Sequence, residues 1–465
     1  MSSAKPQVVD LVDAGVPADQ GLSALGLLMQ LAGNVLAAYA ALITFQTMFL
    51  TTEWGGGSKD MLWVFLALGL SVARSLLHRS AGAQLVYGGG DHQPGRLAGV
   101  RRYVVFALIQ SAVLGVVMRF GLHLGTTAAL GMVGGLAVWP VTLAVLMRLP
   151  RFRRFHDELP VTEDKGFEGA SIFMTVLGLG GAIGTGTALY VMLQSSSREL
   201  QSGPNVLVVL SLILLVVRSV IQVQAGVSGL RETSVDRSVE LANRYANFGI
   251  ISSFCGGGAL LLFVMSSSQN VFGLALVCGM VWLLIAWPMI IRKFFSDRQF
   301  ADLLAGDAAP VHRRAPDAGL TWLGWMLVGH VALTASFLVP AITSADAPTT
   351  GRFEAVFMLA GTVGIKSIWW NIGALVLEGW AGYELVRMSA QSRIIATVFA
   401  VVAVAVALYV NWPLIELLRH SSGFDRQAIL AAPLALALVI PIATLLLVHR
   451  KIAPTARARF RAKVA

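Results

Sequence analysis

Charged residues are scarce in this chain. Of its 465 residues only 13% are Asp, Glu, Lys or Arg, and 56% are hydrophobic. A typical soluble domain carries about a quarter charged residues, so the composition excludes an ordinary water-soluble protein. Long polar connections are lacking too, since the longest lie near 148–167 and 293–318. They leave no room for a soluble ATPase or kinase domain, and no phosphate-cradling glycine loop is found.

Cysteine and buried acids are also nearly missing. The two cysteines, Cys255 and Cys278, both fall in apolar runs, where cysteine packs as a small hydrophobe more often than it forms a disulfide or metal site. No aspartate falls in an apolar run. We expect Glu378 to be a solvated or Arg-paired residue near the inner interface. Coupled carriers generally need a buried carboxylate, so the sequence favours passive conduction or lipid movement over active transport.

The apolar runs themselves recur at helical length. A hydrocarbon core of about 30 Å needs about 20 apolar helical residues, and continuous runs exclude the alternating strands of a barrel. We predict an all-α polytopic membrane protein with twelve transmembrane spans. Spans 1 to 12 cover residues 23–50, 61–83, 102–121, 125–147, 168–194, 204–227, 243–266, 271–292, 319–343, 353–379, 393–415 and 428–448.

Basic residues report the orientation of these spans. The net charge is +10, and Lys and Arg concentrate in both tails and in the loops that follow even-numbered spans. The opposite loops hold only Lys59, Arg119, Arg198, Arg352, Arg419 and Arg426. The positive-inside rule then places both termini in the cytoplasm, in agreement with an even number of spans. We interpret the charge as a topology signal and not as a nucleic-acid footprint.

The two tails differ in character. Residues 1–22 contain three aspartates and, as their one basic residue, Lys5, which is a poor signal peptide. The basic tail 451–465 is expected to lie on anionic lipid. Arg outnumbers Lys, and Ala, Gly, Val and Leu dominate, which suggests a bacterial source and so the inner membrane.

An internal repeat is the most informative pattern, because repeats define architecture before motifs do. Three spans carry a basic residue, a serine and, further on, a pair of small residues: Arg74-Ser75 with Ala81-Gly82, Arg218-Ser219 with Ala225-Gly226, and Lys366-Ser367 with Gly373-Ala374. The interval is close to a third of the chain. We predict three tandem four-helix repeats: unit 1 (23–150), unit 2 (167–293) and unit 3 (318–450), joined by cytoplasmic loops 151–166 and 294–317.

Four helices per unit keep each copy in the same orientation, so the units should be related by a pseudo-threefold axis along the membrane normal. This layout resembles the catalytic subunit of haem-copper oxidases in helix count and threefold plan. That family needs several intramembrane histidines, some of them on helices 2, 6 and 10. Here those helices carry Arg74, Arg218 and Lys366 at the repeated position, so we predict neither haem nor copper, nor any other cofactor or metal.

The repeated cations form the first candidate site. A charge within a span costs at least about 2.5–3.5 kcal/mol and often marks a pathway. One hypothesis is a ring that binds an anion, a phosphate or a lipid headgroup, with serine hydroxyls as extra donors. Its residues are Arg74, Ser75, Arg218, Ser219, Lys366 and Ser367. The alternative is structural: the side chains reach the interface or bond carbonyls freed where Pro140, Pro288 and Pro441 kink their helices.

A weaker polar site joins Asn34 and His330, which occupy matching places in spans 1 and 9. A lone histidine among apolar residues is otherwise a satisfied core residue. The Gly180 to Gly184 spacing is typical of close helix packing. No nucleophile with a base, paired acids or metal-ligand spacing is found, so we predict that the protein is not an enzyme.

The sequence thus favours an inner-membrane channel, permease or lipid-handling protein with an intramembrane anion-binding ring. The alternative is a cofactor-free structural or assembly subunit of a membrane complex.

Overall fold

A computed structural model gives the fold. It describes residues 22, 25–38, 40, 58–87, 95–121, 125–148, 167–195, 203–230, 235–267, 271–296, 318–343, 366–387, 389, 391–420 and 424–449. Within these ranges every regular element is helical. In chain order the α-helices are α1 Leu25–Ala38, α2 Ser58–Tyr87, α3 Gly95–Val116, α4 Thr126–Leu146, α5 Phe167–Ser195, α6 Gly203–Leu230, α7 Val235–Ser267, α8 Val271–Phe295, α9 Ala318–Thr343, α10 Lys366–Arg387, α11 Ser392–Val410, α12 Trp412–His420 and α13 Phe424–His449.

Length and composition identify membrane-crossing helices. Within the described residues seven helices are long and apolar enough: Leu62–Tyr87, Leu97–Gly121, Thr126–Leu146, Gly169–Leu193, Val206–Leu230, Val239–Leu262 and Ser392–Tyr409. Their outer faces display large apolar side chains such as Ile109, Ile251 and Val401. Water would not favour such a surface, whereas lipid does. The chain has the architecture of a helical multi-pass membrane protein, and both the count of twelve spans and the division into three four-helix units stay predictions.

Two predicted spans differ from the helices. Span 393–415 is interrupted, because α11 ends at Val410 and the Nδ2 of Asn411 donates to the Ala407 carbonyl. The short helix α12 follows and exposes Trp412 and Leu417. For span 353–379, residues 353–365 lie outside the described residues, and α10 continues beyond the predicted end to Arg387.

Helices that follow one another in the chain pack as neighbours, as short connections require. Within unit 1, α2 packs on α3 and α3 on α4; within unit 2, α5, α6, α7 and α8 pack in sequence; within unit 3, α9, α10, α11 and α13 do the same. Contacts between units run from α4 to α9 and from α5 to both α9 and α13. Helix α9 therefore touches all three units.

The first two helices of each unit cross at small residues. A methyl group on Gly26 would lie 2.7 Å from the Gly82 carbonyl oxygen, and one on Gly226 would lie 2.7 Å from that of Ser171. In unit 3 a methyl group on Gly324 would lie 2.9 Å from the Gly382 carbonyl oxygen. Only glycine permits so close an approach of two backbones.

A second contact lies about two turns further along each crossing. A methyl group on Gly33 would lie 2.7 Å from the backbone nitrogen of Arg79, and one on Gly178 would lie 3.0 Å from that of Val223. In unit 3 the glycine is on the other helix: a methyl group on Gly379 would lie 3.6 Å from a methyl of Val331. The three crossings thus share one packing register.

That register differs in α10 from the one the repeated dipeptides predict. Gly382 lies opposite Gly324 as Gly82 lies opposite Gly26, so Ala381-Gly382, and not Gly373-Ala374, is the counterpart of the earlier pairs. Counting back along α10, Ala374 occupies the place of Arg74 and Arg218. The place that Glu378 occupies in α10 belongs to His78 in α2 and to Gln222 in α6. The register rests on backbone contacts, which constrain it more tightly than a dipeptide match.

Candidate functional site

Arg74 is bonded entirely within unit 1. Its Nη1 donates to Gln110 Oε1 at 2.9 Å and to Ser111 Oγ at 3.2 Å, both on α3. Its Nη2 donates to the carbonyl of Leu136 on α4 at 2.6 Å. Pro140 lacks the N–H that would bond this carbonyl inside α4. The prediction that a cation bonds a proline-freed carbonyl is therefore confirmed for Arg74.

Arg218 is placed the same way in unit 2. The side chain is buried, and its Nη1 donates to Ser253 Oγ on α7 at 2.9 Å. Ser253 Oγ in turn lies 3.1 Å from the carbonyl of Leu284, the residue four before Pro288 in α8. Ser253 has one hydroxyl proton, however, and the Gly249 carbonyl of its own helix lies nearer to Oγ, at 2.5 Å. Arg218 therefore joins α6 to α7, whereas Arg74 reaches the freed carbonyl of α4 itself.

The remaining residues of the predicted ring are placed as follows. Ser75 Oγ donates to the Ser71 carbonyl at 2.8 Å and Ser219 Oγ to the Leu215 carbonyl at 2.9 Å, so both hydroxyl protons are used inside their own helices. Lys366 begins α10, and its side chain and that of Ser367 lie outside the described residues. The binding of an anion or lipid by the six residues stays a prediction.

An aromatic side chain accompanies each arginine. Tyr103 on α3 lies beside Arg74 and stacks on His78 with ring centroids 4.5 Å apart. Trp139 on α4 donates its Nε1 proton to His78 Nε2 at 2.9 Å. Because indole is only a donor, His78 Nε2 accepts, and the neutral ring carries its proton on Nδ1.

Unit 2 repeats this arrangement with glutamine in place of histidine. Tyr245 lies beside Arg218, and its hydroxyl donates to Gln222 Oε1 at 2.7 Å. His78 and Gln222 are both buried and both accept from an aromatic donor of their own unit. Units 1 and 2 therefore use this place in the second helix for a neutral, hydrogen-bonded side chain.

Unit 3 fills the same place with a carboxylate. Glu378 is fully buried, and its two oxygens lie 3.1 and 3.2 Å from Nδ1 of His330 on α9. The expectation of a solvated or Arg-paired Glu378 at the interface is wrong, because α10 continues well past it and α9 covers it. The imidazole keeps 14% of its surface exposed, whereas the carboxylate keeps none. An acid and a base thus share one buried hydrogen bond.

His330 has a different partner from the one the sequence predicts. Asn34 donates its Nδ2 proton to the carbonyl of Gln30 in its own helix at 2.8 Å. Among the described contacts, His330 bonds Glu378 and not Asn34. The two helices do approach near this point, since a methyl group on Gly329 would lie 2.8 Å from Leu28 of α1.

Comparison with known proteins gives no relative. No protein-family model matches the chain, and no curated protein or solved structure is significantly similar to it. The predicted likeness of layout to haem-copper oxidases therefore gains no support, and function must be inferred from the residues themselves. Within the described residues no group of three or more His, Cys, Asp or Glu side chains is arranged to hold a metal ion.

The sequence prediction misses Glu378 because the repeated pair Gly373-Ala374 lies eight residues before the one that packs on α9. The signal that finds Glu378 is Ala381-Gly382, which repeats Ala81-Gly82 and Ala225-Gly226 and moves the packing register of α10 toward Arg387. Glycine pairs at backbone crossings mark register better than the long basic side chains, which can reach their partners from several positions.

Proposed function

We propose that this protein is a proton-coupled permease of a bacterial inner membrane, with both termini in the cytoplasm. Its three four-helix units surround a pseudo-threefold axis, and the His330–Glu378 pair takes up and releases the coupling proton in transport cycles with or without a second substrate. The proposal rests on one observation: a fully buried carboxylate whose two oxygens both face Nδ1 of a partly buried imidazole, in a helix bundle with an apolar outer surface.

Three physical arguments support this role. An ionisable side chain inside a membrane bundle is costly and is retained where it moves ions or protons. Imidazole is the side chain whose charge changes near neutral pH. The hydrogen-bonded pair has two states that differ by one proton. In one state a neutral histidine faces the carboxylate, and in the other an imidazolium faces it. The buried Glu378 thus supplies the carboxylate whose expected absence favoured passive conduction.

The place of the pair in the fold supports the same conclusion. His78 in unit 1 and Gln222 in unit 2 are neutral side chains at the position that Glu378 occupies in unit 3. Ala374 of unit 3 occupies the position of Arg74 and Arg218, which are hydrogen-bonded within their own units. Helix α9, which carries His330, packs against helices of all three units. A change of charge at this helix is therefore positioned to alter contacts between units.

A second candidate is a structural or assembly subunit of a membrane complex. The observation that favours it is the use of Arg74 and Arg218 within their own units, on serine hydroxyls and a freed carbonyl. Such contacts stabilise the bundle and leave those donors engaged. The anion- or lipid-binding ring would require the two guanidinium groups to exchange these partners for a ligand.

Proton movement into vesicles distinguishes the candidates. The purified protein is reconstituted into liposomes that contain a pH-sensitive dye, and a potassium diffusion potential drives protons inward. The wild-type protein should acidify the vesicles faster than protein-free controls, and Glu378→Gln should remove at least about nine-tenths of that excess, since loss of an essential relay group costs tenfold or more. Equal rates for wild-type and protein-free vesicles would refute the permease and leave the assembly role.

The chain itself supplies the matched control for folding. Gln222 occupies the place of Glu378 in unit 2, so glutamine fits this position of the second helix. The Glu378→Gln protein should therefore elute as the wild type does on gel filtration. Ser336 donates its hydroxyl proton to the Ala332 carbonyl of its own helix, so Ser336→Ala should leave the proton rate unchanged.

A further inference from the structure

The indole N–H of Trp287 is a buried donor without an acceptor. Trp287 on α8 corresponds to Trp139 on α4, because each precedes the proline inside the last helix of its unit. In unit 1 the Trp139 Nε1 proton is accepted by His78 Nε2 at 2.9 Å. In unit 2 the indole is buried, and within the described residues its Nε1 has no hydrogen-bond partner. Buried donors are as a rule paired with protein, water or an ion.

The side chain in the place of His78 offers this indole a second donor. Tyr245 lies beside Arg218, which can only donate, so the hydroxyl gives its own proton to Gln222 Oε1 at 2.7 Å. That bond orients the amide and leaves Nε2, which is buried and has no partner in the part of the chain that the structure describes. By the correspondence with unit 1, the two N–H groups are neighbours. They cannot bond each other, so a third species must accept from both.

A buried cation lies at the same place. A methyl group on Gly249 would lie 2.7 Å from Cγ of Pro288 and 3.7 Å from Nε of Arg218. Pro288 follows Trp287 directly in the chain. Arg218 is buried and donates to the neutral hydroxyl of Ser253, and among the described residues it forms no ion pair. Since buried charges are normally compensated, a negative charge is expected here.

The other two units supply an acceptor from their own chain at this place. His78 of unit 1 accepts through Nε2. Glu378 of unit 3 has two carboxylate oxygens, which lie 3.1 and 3.2 Å from Nδ1 of His330. In unit 2 the corresponding oxygen, that of Gln222, is already bonded to Tyr245. An acceptor from outside the chain would complete unit 2 in the same way.

We infer that unit 2 binds a monatomic anion of the size of chloride, held by the N–H groups of Gln222 and Trp287 beside the Arg218 guanidinium. Water could accept the same two hydrogen bonds, but only an anion also compensates the guanidinium charge. Arg218 keeps its bond to Ser253, so no exchange of partners is needed. The site lies within one unit and does not depend on proton transfer by the His330–Glu378 pair.

The response of thermal unfolding to chloride tests the site. The wild-type protein is purified in gluconate throughout, and chloride then replaces gluconate at constant ionic strength. A ligand that binds the native state stabilises it by mass action, so Tm should rise, by at least about 2 °C at the highest chloride concentration. Trp287→Phe removes one N–H, keeps an aromatic ring and should lose this rise. Trp282→Phe, at an exposed tryptophan of the same helix, is the control and should keep it.

A second variant replaces the anion by a carboxylate. Gln222→Glu introduces at this place the side chain that unit 3 has in Glu378. Its oxygens can accept from Tyr245 and Trp287 and compensate Arg218. In gluconate the Tm of Gln222→Glu should therefore equal or exceed that of the wild type, and chloride should no longer raise it.

The opposite results would overturn the inference. A wild-type Tm that is the same in both salts would leave water as the acceptor. A rise that both Trp287→Phe and Gln222→Glu retain would locate the anion elsewhere. Should neither variant fold, crystals of the wild-type protein prepared in bromide decide. Anomalous density within about 3.5 Å of Trp287 Nε1, slightly beyond an ordinary hydrogen bond, would support the site, and its absence would exclude it.

Discussion

The Arg74 side chain and the Pro140 kink should stabilise the protein as a coupled pair. Replacing Arg74 by leucine removes three hydrogen bonds, to Gln110, Ser111 and the Leu136 carbonyl. Hydrogen bonds between membrane helices contribute on average about 0.6 kcal/mol and at most about 1.7, so the loss of three should lower the free energy of unfolding of Arg74→Leu by about 2–5 kcal/mol.

Part of that loss depends on Pro140, whose missing N–H leaves the Leu136 carbonyl free. In Pro140→Ala the backbone N–H returns and can bond the Leu136 carbonyl within α4, so the carbonyl no longer needs the guanidinium. Arg74→Leu should therefore cost about 1 kcal/mol less in the Pro140→Ala background than in the wild type, a coupling of the size that residues in direct contact show.

Unfolding in mixed micelles of increasing denaturing detergent measures the four free energies of this cycle. Arg101→Leu, which changes an exposed arginine at the start of α3, is the control and should stay within about 0.5 kcal/mol of the wild type. Additive effects of Arg74→Leu and Pro140→Ala, within about 0.3 kcal/mol, would show that the guanidinium does not serve the freed carbonyl, and the structural role assigned to Arg74 would be refuted.

Three further predictions concern packing and can be measured in the same unfolding experiment. Gly82→Leu should destabilise the protein by more than about 2 kcal/mol, because overpacking a tight contact forces backbones apart, whereas Gly69→Leu, which meets nothing within 4 Å, should be tolerated; equal losses would contradict the crossing. Gly180→Ala should raise stability by about 0.5–1 kcal/mol, since this glycine also faces open space and alanine favours the helix. Gln222→Leu should cost about 1–3 kcal/mol by leaving the Tyr245 hydroxyl buried without its acceptor, and a neutral result would mean that the hydroxyl finds another partner.

The membrane class could be predicted from composition because long apolar runs have few explanations other than lipid. The bond from a cation to the carbonyl freed by Pro140 also follows from residue chemistry, since a proline always frees the carbonyl four residues before it. The sequence carries a signal of the break at Asn411 that the predicted span 393–415 ignores, because Pro413 follows two residues later and α12 contains Glu416 and Arg419. There the asparagine side chain competes for a backbone carbonyl, which composition does not reveal.

The candidate site was harder to predict because it depends on register. Two residues of α10 compete as the counterpart of Arg74 and Arg218. Lys366 resembles them because it is basic and precedes a serine, whereas Ala374 lies at the matching distance from the crossing glycine. The glycine contacts of α9 and α10 favour the other register and bring Glu378 beside His330. Likewise, the Gly180 to Gly184 spacing was expected to mark a close approach, yet the approach is made by Gly178 and Gly181. Which face of a glycine-rich helix is covered depends on partners far away in the chain.

The exchange of glycine between helices in unit 3 limits how this protein can be recombined. In unit 1 the small residue is Gly33 and the large one is Arg79, while in unit 3 the large residue is Val331 and the small one is Gly379. A chimera that carries α9 in place of α1 would set two large residues against each other, and the reverse transplant would leave a gap. Functional grafts between the thirds of the chain must therefore move the first two helices together, as one inseparable hairpin.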